Sequence, residues 1–275
     1  MGDDHLGDRH RRRAPVRGGR HRLMPAAGAP ADRLATLPRS PGVYRFRDAR
    51  GRVLYVGRAA ELRSRVRSYW GDLRDRPHLR RMARRIAAVD VLECASEHEA
   101  AFVERRLLEA SCPPYNWIVA DSVEAYLRYD DGTGLAFARD ADPQARSFGP
   151  YLGSTPARHA AQALNFLFPV AHALGGTSRV ARELGRSRGF GAADAPTLRA
   201  ELFAVLERDP RAVAGAIDRL VASRDAAAAT TAFEGAGRVQ AQIAGISWIT
   251  QPVAPERVER LVRDWRPQEV GAARR

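Results

Sequence analysis

Two short stretches of alternating apolar and polar residues precede a series of longer periodic segments. Residues 42–46 and 52–56 alternate in this way, and a turn-forming cluster at 48–51 separates them. Alternation with a period of two is typical of strands, so the pattern predicts a β-hairpin. Gly57 is predicted to end the second strand, because glycine permits a sharp change of backbone direction.

Helical spacing follows the hairpin. Residues 60–70 and 77–89 place apolar side chains three or four positions apart, which predicts two amphipathic helices. Residues 90–94 are predicted to form a third strand, and Ser96 begins a capping-box helix that runs to about residue 111. The β-β-α-α-β-α order indicates an α+β domain whose small, mostly antiparallel sheet is flanked by helices.

The later chain is predicted to contain one strand at 126–129, a turn at 148–151 and then mainly helices. The last two helices, 211–229 and 232–246, are spaced to pack as a hairpin, with Phe233 among the packed residues. We divide the chain into a disordered basic arm (1–33), an α+β domain (34–122), a connecting segment with a Gly/Arg-rich linker (123–195), a helical region (196–250) and a loosely ordered basic tail (251–275).

The charge of the chain points to a polyanionic partner. The sequence holds 45 basic and 32 acidic residues, every basic residue is arginine, and the formal net charge is +13. A GC-rich genome would favour arginine codons. The guanidinium nevertheless stays charged, and its planar fork matches phosphate, so the excess predicts salt-sensitive binding to a polyanion.

The composition argues against several other classes of protein. The sequence contains no apolar run of about 18 residues, so no membrane span is expected. Two cysteines, Cys94 and Cys112, are too few for a disulfide framework, which favours a reducing cytoplasm. The histidines of the basic arm fit an unstructured arm better than a metal site, and Met24 is an alternative start of the protein.

Glu104 is the most informative single residue for chemistry. Its neighbours three and four positions away on the predicted helix are all apolar, so its carboxylate leaves an apolar face and requires a cation. Two interpretations stay open on position alone: an ion pair with an arginine, or a metal ion such as Mg²⁺ held by one carboxylate, waters and a phosphate oxygen.

Tyr44 and Tyr55 lie on the two predicted hairpin strands, where aromatic residues are common for structural reasons alone. A phenol has a pKa of about 10. Nearby arginines and a metal ion would lower that pKa and let the phenol accept a proton. Tyr69, on the following helix, would orient a water molecule or the other phenol.

Arginines offer fixed positive charge beside these groups. Arg58 and Arg65 would hold a phosphate and offset charge in the transition state, although surface solubility alone would also explain them. Asn116 is predicted to fix its loop through hydrogen bonds. The outer face of helix 77–89 is suited either to solvation or to tracking phosphates on DNA, and it consists of Arg80, Arg81, Arg84 and Arg85.

These residues together resemble the GIY-YIG nuclease family, and in particular its UvrC-like members. The resemblance lies in PGVY at 41–44, in YVGR at 55–58 and in the spacing from Glu104 to Asn116. It implies that Glu104 binds one divalent metal ion, Mg²⁺ or Mn²⁺. It also implies catalytic roles for a larger set, namely Tyr44, Tyr55, Arg58, Arg65, Tyr69 and Asn116.

The later chain resembles UvrC-like proteins more loosely. FGPY at 148–151 and LFP at 167–169 match segments of that family, and 233–243 resembles the UVR motif, which binds UvrB through a helical hairpin. The resemblance implies that the hairpin 208–250 binds UvrB, with contacts from Phe233, Glu234, Ala236 and Ile243.

Several features depart from the family. Arg58 replaces a lysine, and Gln240 and Ala241 replace an Arg-Asp pair of the UVR motif. The cysteine cluster after LFP is absent, so no iron–sulfur or zinc site is expected. The sequence ends where the family's second nuclease would begin, so we expect at most one of the two incisions.

Three functions are consistent with these residues. The resemblance implies a metal-dependent endonuclease that nicks DNA on the 3′ side of a lesion in nucleotide excision repair, and the filled catalytic positions favour it. A catalytically weak or inactive accessory protein that binds DNA or UvrB is the alternative, favoured by Arg58 and by the loss of a lysine near residue 123. The third function, a GIY-YIG nuclease of a mobile element, is disfavoured by the UVR-like hairpin.

Overall fold

An antiparallel sheet of four strands forms the first part of the protein. It is seen in a computed structural model that describes residues 21–25, 34–71, 77–116, 123–175, 183, 187 and 189–265. Its strands are β1 (His21–Pro25), β2 (Gly42–Arg47), β3 (Val53–Ala59) and β4 (Ala88–Glu93). They lie side by side in the order β1-β4-β2-β3, and Tyr44 faces Gly57 across the β2–β3 hairpin.

Three helices pack on this sheet: α1 (Leu62–Arg67), which continues as a 3-10 turn (Ser68–Trp70), α2 (Pro77–Ala83) and α3 (Glu97–Ala110). The predicted α+β class and the β-β-α-α-β-α order are confirmed. The predicted end of α2 is wrong. That helix stops at Ala83 rather than at residue 89, because residues 88–93 join the sheet as β4.

Residues 21–25 lie in the segment predicted to be a disordered arm, and the prediction is wrong for them. They form β1 along the edge of β4, with Met24 opposite Val89. Pairing along an open sheet edge uses backbone groups and requires no apolar periodicity, so the pattern of side chains gave no sign of it.

A second antiparallel sheet follows, made of β5 (Glu124–Asp130), β6 (Gly134–Ala138) and β7 (Arg146–Leu152). The strand order is β6-β5-β7, and helix α4 (Ser154–Leu167) packs against β5 and β6. The turn predicted at 148–151 is wrong. Those residues lie within β7, with Phe148 opposite Leu127 and Tyr151 opposite Ala125.

The remaining elements are helices: α5 (Val170–Ala173), α6 (Ala195–Leu206), α7 (Pro210–Ala229), α8 (Phe233–Ile249) and α9 (Pro255–Trp265). Helices α7 and α8 pack together as a hairpin in which Leu220 is fully buried. Phe233 does not pack there as predicted, because it is 71% exposed. None of the helices in the described ranges has both the length and the apolar character that a membrane crossing requires.

Helix α9 covers the face of the first sheet opposite to α1. Its apolar residues recur at helical spacing, and Val258, Leu261 and Trp265 are buried against β2, β3, β4 and α3. Arg45 of β2 donates a hydrogen bond to the carbonyl oxygen of Trp265, and its guanidinium lies 4.5 Å from the centre of the indole. The prediction of a loosely ordered tail is therefore wrong for residues 255–265.

Candidate active site

A cleft of about 630 Å³ opens beside the β2–β3 hairpin, between α1 and α3. Five of the predicted site residues line it: Tyr44, Tyr55, Arg58, Arg65 and Glu104. The hairpin supplies the two tyrosines and Arg58, while α1 supplies Arg65 and α3 supplies Glu104. These residues meet because β2 and β3 are neighbours in the sheet and α3 packs against both.

The phenols form a packed group at the base of the cleft. The hydroxyl oxygens of Tyr44 and Tyr69 are 2.7 Å apart, and Arg65 Nε donates to the Tyr44 hydroxyl at 3.2 Å. The ring of Tyr55 lies 6.1 Å, centre to centre, from each of the other two rings. Tyr69 thus fixes the position of the Tyr44 hydroxyl, although it does not itself line the cleft.

Both cleft phenols are held in their protonated form. Burial raises the pKa of Tyr44 and of Tyr55 above the usual value, and the adjacent phenol of Tyr69 raises both further. Arg65 acts in the opposite direction, but its effect on each pKa is smaller. Arg65 thus lowers the pKa of both phenols in the predicted direction, but each pKa stays above its usual value because packing of the rings removes the hydroxyls from water.

Glu104 lies on the side of α3 that faces the cleft, and 22% of its side chain is exposed. Its Oε2 forms an ion pair with Arg58 Nε, with 3.0 Å between the two atoms. Burial raises the pKa of the carboxyl group, while Arg58 and Arg65 act to lower it. The ion pair that the sequence left as one of two alternatives is therefore present.

The surroundings of Glu104 also fit a divalent cation. The cleft is wide enough for a hydrated ion, and Tyr55, Ser64 and Glu97 bring further oxygen atoms to its lining. Across the described ranges, no group of three or more acidic, histidine or cysteine side chains could hold a metal. One carboxylate therefore suits an ion that keeps most of its waters and completes its shell with substrate phosphate, as Mg²⁺ does.

Two neighbours of Arg58 were not predicted from the sequence. Glu97 Oε1 lies 3.9 Å from Arg58 Nη1. Its position seven residues before Glu104 puts the two carboxylates on one face of α3, which is a signal that the sequence does contain. Trp248 of α8 has its ring centre 5.7 Å from Arg58 Cζ, and no local pattern connects the two.

The region that builds the cleft matches a known family. Residues 40–117 match the family model of the UvrC-like GIY-YIG domain. These residues form a UvrC-like GIY-YIG domain. The resemblance stated from PGVY, YVGR and the Glu104–Asn116 spacing is thereby confirmed.

Curated relatives extend the similarity beyond the GIY-YIG domain. UvrABC system protein C of Geobacter metallireducens is 40% identical over 146 residues, which cover 51% of this chain and 24% of that protein. The protein of the same name from Desulforudis audaxviator is 32% identical over 248 residues, which cover 85% of this chain and 40% of that protein. The chain thus spans less than half the length of these relatives.

Among solved structures, the N-terminal GIY-YIG endonuclease domain of UvrC from Thermotoga maritima, bound to magnesium, is 28% identical to the matched part of this chain. The match covers 31% of this chain and 92% of that one, with a TM-score of 0.29.

Gly57 of the GIY-YIG domain is required by the two phenols above it. A Cβ atom at this position would lie 2.6 Å from Tyr44 Oη and 2.7 Å from Tyr55 Cε1, so only glycine lets the rings cross the strand this closely. The strand β3 continues to Ala59. The prediction that Gly57 ends the strand is wrong, because its role is close approach rather than a turn.

Asn116 lies against the backbone of the edge strand β3 and does not line the cleft of the GIY-YIG domain. Its side-chain oxygen accepts from the Val56 amide at 2.9 Å, and its side-chain nitrogen donates to the Val56 carbonyl at 2.7 Å. The two bonds fasten the loop after α3 to the strand between Tyr55 and Gly57. Any effect of Asn116 on chemistry would pass through the position of that strand.

The predicted DNA-binding arginines lie outside the cleft, and all four are exposed: Arg80, Arg81, Arg84 and Arg85. Arg85 is partly engaged, since its Nη1 donates to the Tyr115 hydroxyl at 3.4 Å and its Nη2 lies 3.9 Å from Asp48. Their contact with DNA stays a prediction.

The predicted partner-binding residues divide into two groups. Phe233 and Glu234 are exposed at the start of α8. Ala236 and Ile243 are partly buried, and Ile243 packs against the core beneath the second sheet. An interface on this helix would therefore centre on its first turn.

Proposed function

We propose that this chain is a metal-dependent DNA endonuclease that nicks one strand in nucleotide excision repair, on the 3′ side of a lesion. The convergence of Glu104, Arg58, Arg65 and two phenols on one cleft carries the proposal. The UvrC-like GIY-YIG domain at 40–117 supports a nuclease, and the relatives named UvrABC system protein C support a role in repair.

The cationic side chains of the cleft suit a phosphodiester substrate. Arg58 and Arg65 would bind the non-bridging oxygens of the scissile phosphate and stabilise the charge that grows on them during attack. A divalent cation, Mg²⁺ or Mn²⁺, held by Glu104 would supply Lewis-acid stabilisation of the leaving oxygen.

The phenols would position the attacking water. Because burial keeps Tyr44 and Tyr55 protonated, neither acts as a stored base. A protonated phenol would instead orient the water and accept the proton that the water loses while it donates its own proton to an oxygen of the substrate phosphate. The 2.7 Å contact between the Tyr44 and Tyr69 hydroxyls would hold the Tyr44 hydroxyl in place for that exchange.

The test is nicking of damaged and pre-nicked duplex DNA with Mg²⁺ or Mn²⁺, with and without UvrB. We expect EDTA to abolish cleavage, and Glu104→Gln and Tyr55→Phe each to slow it about 100-fold. DNA affinity measured in EDTA should be nearly unchanged, because neither substitution removes a positive charge.

Two matched controls keep the test specific. Glu109→Gln removes an exposed carboxylate of α3 that pairs with Arg105 and Arg106, and Tyr126→Phe removes a phenol of the second sheet. Both variants should cleave at the wild-type rate. Wild-type protein that binds DNA but never cleaves it, with any metal and with UvrB present, would contradict the proposal.

One observation favours the accessory function as a second candidate. Arg58 already neutralises Glu104 through a 3.0 Å ion pair. A carboxylate without such a partner would bind a metal ion more readily. With the accessory function, the chain would bind DNA or UvrB without cutting. Calorimetric titration of Mn²⁺ into wild-type and Glu104→Gln protein separates the two, because the accessory function predicts no difference between them.

A further inference from the structure

Trp248 of helix α8 contacts Arg58, one of the residues that line the GIY-YIG cleft. The centre of its ring lies 5.7 Å from Arg58 Cζ, which is within the range of a cation–π contact. The same guanidinium forms two ion pairs: its Nε lies 3.0 Å from Glu104 Oε2, and its Nη1 lies 3.9 Å from Glu97 Oε1. Arg58 is thus bounded by two carboxylates of α3 and one indole of α8.

Trp248 is itself held by a buried arrangement. Its indole N–H donates to the Leu152 carbonyl at 2.8 Å, and the Leu152 amide donates to His98 Nε2 at 3.0 Å. The imidazole of His98 is fully buried, and its ring lies 4.7 Å from that of Trp248, centre to centre. Burial lowers the pKa of His98 to about 3, so the ring is neutral and can accept that bond.

The end of α8 is fastened on two further sides. Gly245 lets the helix cross α4 closely, since a Cβ atom there would lie 2.7 Å from the Pro156 carbonyl oxygen and 2.8 Å from the Ala160 amide nitrogen. Just beyond the helix, Gln251 Oε1 accepts from the His98 amide at 2.8 Å. That amide belongs to the first turn of α3, the helix that carries Glu104.

We propose that Trp248 is a positioning residue for the nicking reaction, whose ring holds the Arg58 guanidinium beside Glu104. The inference rests on the proposed function for its kinetic consequence. Arg58 has 36% of its side chain exposed, and Glu97 offers it a second carboxylate, so without the indole it would divide its time between orientations. A charged group lowers the reaction barrier only when it is oriented toward the reacting atoms, so a loss of orientation lowers the rate.

The kinetic test compares Trp248→Leu and Trp248→Phe with wild-type protein. The leucine variant should lower kcat about tenfold with little change in KM for DNA, because Arg58 keeps its charge but loses its orientation. The phenylalanine variant keeps a ring over Arg58 and should stay within about threefold of wild type. Trp248→Met, which fills more of the space without a ring, replaces the leucine variant if that one does not fold.

A double-mutant cycle separates positioning from a merely structural role. In an Arg58→Ala background, Trp248→Leu should change kcat by less than about twofold, because the group through which it acts is gone. A further tenfold loss in that background would overturn the proposal, as would an equal loss in the leucine and phenylalanine variants.

A measurement without DNA or metal keeps the two proposals distinguishable. The Arg58 Nε–H signal in an arginine-labelled NMR spectrum, assigned by its loss in Arg58→Lys, should exchange slowly in wild-type and Trp248→Phe protein. It should exchange fast in Trp248→Leu. If Arg58 shows these exchange rates but the protein never nicks DNA, the positioning role is supported and the proposed function is contradicted. Slow exchange of the Arg58 Nε–H in Trp248→Leu would contradict the positioning role even if the protein nicks DNA.

Discussion

Two phenol rings cross the backbone of Gly57, and the hydrogen atom that this residue carries in place of a side chain leaves room for them. Tyr44 lies directly opposite Gly57 in the hairpin register. A larger residue would push the Tyr44 hydroxyl away from Tyr69 and Arg65, to which it is bonded. The arrangement of the phenols thus depends on a residue without chemistry of its own.

We therefore expect Gly57→Ala to destabilise the protein by about 1–3 kcal/mol and to slow nicking more than about tenfold, because the added methyl group displaces both rings. Gly237→Ala is the matched control. Gly237 lies in α8 with nothing within 4 Å of an added Cβ, so the change should stabilise the protein by about 0.5–1 kcal/mol. Urea denaturation measures the free energy of unfolding of the two variants. An equal change in that free energy would contradict a tight approach at Gly57.

The sequence predicted which side chains meet in the cleft better than it predicted their state. Alternation placed Tyr44 and Tyr55 on neighbouring strands, and the resemblance to the GIY-YIG family implied that Arg65 and Glu104 join them in one site, as they do in the cleft. The direction of the phenol pKa shifts did not follow, because it depends on how fully the rings are buried. The contact between Trp248 and Arg58 could not be predicted from the sequence either, because it depends on where α8 packs.

At the scale of elements, periodicity located the hairpin, α1, α3, α7 and α8, because each buries one side against a core. It missed β1, which is held by backbone pairing along a sheet edge. It also missed α9, whose buried stripe of Val258, Leu261, Val262 and Trp265 was outweighed in the prediction by the charged residues between them. The FGPY segment looked like a turn, although its backbone continues a strand.

The hairpin of α7 and α8 carries a prediction about a partner. Phe233 is 71% exposed at the first residue of α8, as expected of an apolar anchor that a protein such as UvrB would cover. Phe233→Ala should weaken UvrB binding about tenfold or more in a pull-down or calorimetric titration.

Phe166→Ala, at a residue of α4 that is 49% exposed, is the matched control and should bind like wild type. Deletion of the whole hairpin is a poorer test, because α8 packs along α4 and Trp248 bonds to β7. Unchanged binding in Phe233→Ala would show that the partner does not use the start of α8.

At the scale of the whole molecule, the net charge of +13 predicts DNA binding that weakens steeply with salt. Replacing Arg80, Arg81, Arg84 and Arg85 by glutamine should reduce the slope of log affinity against log salt by about 3–4, if each contacts a phosphate. Fluorescence anisotropy of a labelled duplex between 50 and 200 mM salt measures this.

A variant with the same loss of charge elsewhere is the control for that experiment. It replaces the exposed arginines of other helices, Arg211, Arg238, Arg260 and Arg263. If the binding face includes α2 and the two arginines that follow it, only the first set flattens the slope. Equal slopes in the two variants would mean that overall charge, and no particular face, governs the affinity.

The packing of α9 on the first sheet and α3 bears on how the GIY-YIG domain can be studied in isolation. A fragment trimmed to the matched segment, 40–117, would remove Val258, Leu261 and Trp265 from the apolar cluster that they share with the sheet and α3, and it would leave Arg45 without its indole. Such a fragment should self-associate through the uncovered apolar face, whatever its catalytic competence. Helix α9 thus packs with the GIY-YIG domain although the two are far apart in the chain. An isolated fragment of that domain should therefore include α9.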